Sequence, residues 1–225
     1  MKTFTNKILP YLITSLLVIG FWKMWTWTDN YAWSPKGKEL LMLDIALTSI
    51  FFYKTIFWLV TANLLVFGLL QLRKRNFMTT GIVLALTLTY HLTFGQVIDK
   101  KCAFHYYSVF QNQSVAEGYI IRPIEEAGYQ IGPILTEKIK DKEMESRVYA
   151  MLGLQNIAYE PATQTMTQIL LDSSESVIYR ANAYEFLRTV ETDESKKLLE
   201  EYRTNVTAST EKEVVRLGEY FYESK

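Results

Sequence analysis

The chain has 225 residues, 49% of them hydrophobic, with 24 basic and 24 acidic side chains, two His and one Cys. One Cys rules out an internal disulfide framework, and one Cys with two His cannot build a zinc ribbon or hold an iron–sulfur cluster within the chain. The zero net charge hides a division: residues 1–101 carry 11 Lys/Arg against 4 Asp/Glu, while residues 102–225 carry 13 against 20.

In chain order, Ile8 to Trp22 is apolar and uncharged, between Lys7 and Lys23. No small-x-small cleavage site follows, only Lys23, Trp25 and Trp27, so the stretch reads as an uncleaved first span over about 8–27 rather than a signal peptide. A second apolar stretch runs from Leu40 to Leu72 and would be roughly 50 Å long as one helix, more than a bilayer needs. Lys54 divides it. Residues 55–72 make a full span, and residues 40–54, with Asp44, are expected at the interface or as an extension of the helix beyond it. With no acidic partner deeper in this span, the Lys54 ammonium is expected to snorkel to the headgroups, although a lone intramembrane lysine also invites an ion or proton role.

Arg73, Lys74 and Arg75 then make a basic turn before a third span at 78–97, which ends at Asp99, Lys100 and Lys101. The positive-inside rule puts that turn and the N-terminus in the cytoplasm and the residues after 100 on the other side. All five Trp fall between Trp22 and Trp58, and Trp25, Trp27, Tyr31 and Trp33 surround the first loop, as expected of an interfacial aromatic belt. His91 and His105 are fourteen residues apart, a spacing known from helices that ligate two haems. The second pair such a site requires is missing, so no cofactor is expected. His91 is instead expected to hydrogen-bond a neighbouring helix, in company with Thr87, Thr89 and Thr93.

After Lys101 the pattern changes to amphipathic helices. Residues 102–124 form a junction and 125–225 a soluble domain, with helices predicted at 129–140, 142–158, 161–171, 175–190, 193–204 and 210–222. Short loops between helices of this length imply antiparallel neighbours. At an offset of 33, Arg147, Ala150 and Leu154 align with Arg180, Ala183 and Leu187, and Met166 and Ile169 align with Leu199 and Tyr202. A helical hairpin is the unit, small Ala allowing close approach and Leu filling the seam. These residues resemble HEAT-like and related alpha-solenoid repeats over roughly 125–205. The resemblance implies a protein-binding scaffold and supplies no catalytic residues.

Acidic runs such as Glu125–Glu126 and Glu200–Glu201 interleave with lysines and read as solvated helix faces. Cys102, beside Lys100 and Lys101, has no histidine–carboxylate relay around it. Phosphate-loop, nucleophile-elbow and zincin motifs are missing, and the acidic soluble half argues against nucleic acid. Tyr149, Tyr179, Arg180 and Tyr184 are the candidates for a partner-binding groove. The expected molecule is an all-α membrane protein with three transmembrane helices and a C-terminal HEAT-like domain, set in a bacterial inner membrane with that domain outside the cytoplasm. It is expected to be no enzyme, and to meet membrane lipid and a protein partner or further copies of itself. A transport or energy-coupling subunit using Asp44, Lys54 and His91 is the alternative.

Overall fold

The computed structural model describes residues 2–26, 36–115 and 118–223, which fold almost entirely into helix. Trp27, Tyr31 and Trp33 of the expected aromatic belt lie outside the described residues. Residues 1–112 and 113–225 form two compact units.

In the first unit, α1 (Lys2–Trp25) is followed by α2 (Lys38–Arg73) and α3 (Phe77–Asn112). All three are long and apolar enough to cross a membrane, which fits a membrane protein. Residues 40–54 are continuous with the second span: α2 runs 36 residues without a break, and α3 continues equally far, through residues 102–112 of the expected junction. At 1.5 Å per residue each of these helices is roughly 54 Å long, well beyond a hydrocarbon core of ~30 Å. The basic turn reverses the chain. Arg75 takes a left-handed φ of 59°, and the Asn76 carboxamide accepts from the Thr79 N–H (3.3 Å) to start α3.

α2 and α3 pack along their whole length as an antiparallel hairpin. Phe57 stacks on Tyr90 with ring centroids 5.4 Å apart, while Gly68 faces Val83 and Gly95 faces Phe57. A Cβ added at either glycine would meet its neighbour at 3.5 or 3.6 Å, an ordinary contact distance, so the packing here does not depend on the missing Cβ. Between α1 and α2, Asn63 donates to the Ser15 hydroxyl at 3.2 Å.

The second unit opens with a two-residue antiparallel ladder, β1 (Ser114–Val115) with β2 (Gly118–Tyr119), where no strand is predicted. α4 (Arg122–Ala127), a 3-10 turn and α5 (Gly132–Lys138) follow, then α6 (Arg147–Asn156), a 3-10 turn at Glu160–Ala162, α7 (Thr163–Leu171), α8 (Val177–Val190), α9 (Asp193–Asn205) and α10 (Ser209–Glu223). The helix predicted at 142–158 starts five residues late. Asp141 turns the chain instead, its carboxylate accepting from the Glu143 N–H at 3.0 Å, an alternative to helix that short polar side chains offer. Ser176 and Thr192 cap α8 and α9.

α8 is the centre of this unit. α6, α7, α9 and α10 pack on it, and every residue from Arg180 to Leu187 is buried. Residues 33 apart make equivalent contacts: the Arg147 Nε–H donates to the Ile139 carbonyl (2.6 Å) and the Arg180 Nε–H to the Leu170 carbonyl (2.8 Å). Each guanidinium then reaches a glutamate near the start of the first helix of the following pair, Glu175 before α8 and Glu211 in α10. α4 meets α6 at Gly153, where an added Cβ would lie 2.5 Å from Ile124 Cδ1 and 2.9 Å from its Cγ2. Ile124 is fully buried and has no room to move. Gly153→Ala is therefore expected to destabilise: overpacking costs about 1–3 kcal/mol, which outweighs the up to ~1 kcal/mol gained in helix propensity. Thermal unfolding followed by circular dichroism checks this.

Candidate functional site

Two regions hold the residues singled out in the sequence. In the first unit, the Lys54 ammonium lies 2.5 Å from Asp99 Oδ1, with the two side chains 15% and 47% exposed. The partner is not in Lys54's own span, where none was expected, but on the next helix, level with Lys54 across the hairpin. Lys23 of α1 lies at the same height, its ammonium 5.8 Å from the centre of the Phe51 ring. Charges from all three helices thus form one level, which closes the apolar stretches 55–72 and 78–97 at their end opposite the Arg73–Arg75 turn.

The structure does not assemble Asp44, Lys54 and His91 into one polar site. Asp44 lies roughly 15 Å from Lys54 along α2, and His91 roughly 12 Å from Asp99 along α3 in the opposite direction. His91 sits against aromatic faces, with centroids 5.2 Å from Phe57 and 5.6 Å from Trp58. Of the threonines expected to join it, Thr87 donates to the Val83 carbonyl and Thr93 to the Thr89 carbonyl, each within its own helix. His105 stacks on Tyr53. Cys102 is buried at 1% exposure, which closes it to reagents. Among the described residues, no group of three or more His, Cys, Asp or Glu side chains is placed to hold a metal ion.

In the second unit, two of the four groove candidates are interior. Arg180 is 3% exposed and bound to the Leu170 carbonyl, the Tyr202 hydroxyl (3.1 Å) and Glu211 (2.6 Å). Tyr184 is 0% exposed, and its hydroxyl donates to Glu219 at 2.6 Å. Neither presents a side chain to a partner while α10 is in place. Tyr149 and Tyr179 are half-buried. Tyr149 packs beside Tyr119, and the Tyr179 ring lies 4.7 Å from the Arg147 guanidinium. Near Tyr179, Leu171 and Ile178 are exposed at adjoining helix ends.

A cleft of about 440 Å³ opens between α8 and α9, with Tyr184, Leu187 and Leu199 as its apolar floor and Arg188, Lys196 and Arg203 among its polar walls. Sequence reasoning passed over this cleft and its neighbour Glu219, which binds Tyr184, Arg188 and Arg203 together. The signal available was the charge pattern: two arginines and a glutamate on three successive helices.

The carboxyls of Glu175 and Glu211 are held below the ordinary glutamate value of 4.5, chiefly by hydrogen bonds from Arg147 and Arg180, against the upward pull of burial. A carboxyl depressed in the folded state stabilises fully above its unfolded value, and that contribution disappears as pH falls through the folded one. The second unit is therefore expected to lose stability progressively below pH 4.5 and to keep it towards neutrality. Unfolding midpoints measured from pH 7 to 3 check this; a flat profile across that interval contradicts it.

No protein-family model matches the chain, and no curated protein or solved structure matches it.

Proposed function

We propose that this chain is a membrane-anchored accessory protein whose C-terminal unit is a HEAT-like helical-repeat domain that binds another protein. The observation carrying this reading is the equivalence at an offset of 33 residues, where Arg147 and Arg180 each tie the end of the preceding helix to a glutamate opening the next helical pair. Stacked helical pairs that repeat such contacts build extended surfaces whose ordinary use is recognition. Tyr149, Tyr179, Leu171 and Ile178 supply aromatic and apolar side chains on that surface. The positive-inside rule supports a cytoplasmic Arg73–Arg75 turn and N-terminus, with residues 113–225 outside the cytoplasm of a bacterial cell. The test is crosslinking in the native membrane followed by gentle-detergent purification and mass spectrometry. A stoichiometric partner crosslinked to residues 113–225 upholds the reading, and a homogeneous preparation of this chain alone rejects it.

A transport or energy-coupling subunit is the second reading, and the Lys54–Asp99 ion pair at the end of the apolar stretch favours it. Lys54→Gln separates the two. A scaffold with this substitution is expected to bring down its partner in undiminished yield, whereas an ion path through Lys54 loses most of its flux in reconstituted vesicles.

A further inference from the structure

We propose that α10 is a displaceable internal ligand of α8, and that a partner protein takes its place with an acidic amphipathic helix. The inference deepens the scaffold reading and rests on it.

The first ground is how α10 is held. Only Val214 and Gly218 of this helix are buried, whereas α8 beneath it is buried through eight consecutive residues. Val215, Leu217, Phe221 and Tyr222 are half-buried, and ion pairs and hydrogen bonds add to the hold. Glu211 receives Arg180 and Tyr202; Glu219 receives Tyr184, Arg188 and Arg203; and the Tyr222 ring lies 4.0 Å from the Arg188 guanidinium. Interactions of this kind exchange for equivalent ones at little net cost, because an incoming carboxylate offers the same guanidinium groups the same geometry. The segment leading into α10 is exposed from Thr207 to Thr210, so no packed side chain there resists its departure.

The second ground is the space beside it. The 440 Å³ cleft shares Tyr184, Arg188 and Arg203 with the α10 docking surface, and α10 puts no side chain into it. Leu187 is fully buried and Leu199 7% exposed at its floor, so the free space lies among the side chains of Arg188, Lys196, Glu200 and Arg203. A helix that repeats the two carboxylates of α10, eight residues apart, and adds a side chain near the second that reaches this space, makes the same ion pairs and fills the cleft as well. Gly218 sets a limit on that partner. A Cβ there would lie 2.5 Å from Tyr184 Cδ1, so the position between its carboxylates that lies on Tyr184 must be glycine.

The test uses the full chain in detergent and a fluorescent peptide of the Ser209–Glu223 sequence. Chain carrying Glu211→Gln and Glu219→Gln, whose own α10 competes less, is expected to bind the peptide at least about tenfold more tightly than unmodified chain. The peptide bearing Gln at both positions is expected to lose at least about tenfold on the same chain. Equal affinity of the two chains, or of the two peptides, overturns the proposal. Should the double variant unfold, hydrogen exchange on unmodified chain decides: α10 amides exchanging at least about tenfold faster than those of α8 uphold the proposal, and equal protection overturns it. A partner captured in the crosslinking experiment while the peptide test fails leaves the scaffold standing and rejects the displaceable helix. Peptide exchange as expected with no partner captured rejects the scaffold, and with it the partner's acidic helix.

Discussion

Replacing Arg147 with methionine is expected to cost the C-terminal unit about 3–5 kcal/mol, the range for removing one member of a buried ion pair. Arg147 is 1% exposed. Its Nη1 and Nη2 reach the two carboxylate oxygens of Glu175 at 2.8 and 2.7 Å, and its Nε–H caps the Ile139 carbonyl. Without the guanidinium, Glu175 stays enclosed as a charge facing only Lys142 at 3.6 Å, and the Ile139 carbonyl loses its donor. Removing both charges together is expected to cost much less, because an apolar pair of similar volume needs no desolvation of ions. Arg147→Met with Glu175→Leu therefore recovers most of the loss. All five Trp lie between residues 22 and 58, so tryptophan emission does not report this unit. Amide exchange of α8 in the full chain is the suitable readout. A single-variant loss below about 1 kcal/mol would reduce the pair to the value of an ordinary surface bridge.

The second large effect is expected at Tyr184. Tyr184→Ala removes a ring with no exposed surface that rests on Gly218, and large aromatic-to-alanine changes in cores cost about 3–5 kcal/mol. Tyr184→Phe keeps the packing and gives up the hydrogen bond to Glu219, a change of about 1 kcal/mol. A tyrosine that served only to grip a partner would behave oppositely, with both substitutions lowering binding and neither lowering stability. Tyr179 provides the comparison. It is half-buried over Arg147, so Tyr179→Ala is expected to cost no more than the ~1 kcal/mol of a partly exposed cation–π contact.

The membrane helices were readable because a bilayer demands long uncharged runs, and such runs are local in sequence. The Lys54 partner was missed for the opposite reason. Asp99 is 45 residues away, and only folding the chain about the Arg73–Arg75 turn brings it level with Lys54. Arginine in a predicted amphipathic helix reads as surface, which put Arg180 in the groove; its burial depends on Glu211, 31 residues on, and on the Leu170 carbonyl. α8 misled in the same way. Arg180, Asn182 and Glu185 give it an apparent polar face, yet helices pack around it on all sides and those side chains are enclosed. Residues 142–146 show the reverse error, where good helix formers sit in a turn because the Asp141 carboxylate captures the backbone.

The length of α2 and α3 bears on how the protein meets bilayers of different thickness. A span whose apolar length matches one membrane tilts or strains when placed in a thicker or thinner one. Here the apolar exterior does not stop at the Lys54–Asp99 level: Leu41, Met42, Ile45, Phe52 and Phe104 continue it on the far side. Lys54 and Asp99 neutralise each other at that level, but Lys23, Lys100 and Lys101 are exposed there as well, so sinking past it brings free ammonium groups towards the lipid. This belt of lysines thus marks one edge of the span, and a bilayer of another thickness is met by tilting the helices rather than by sinking them.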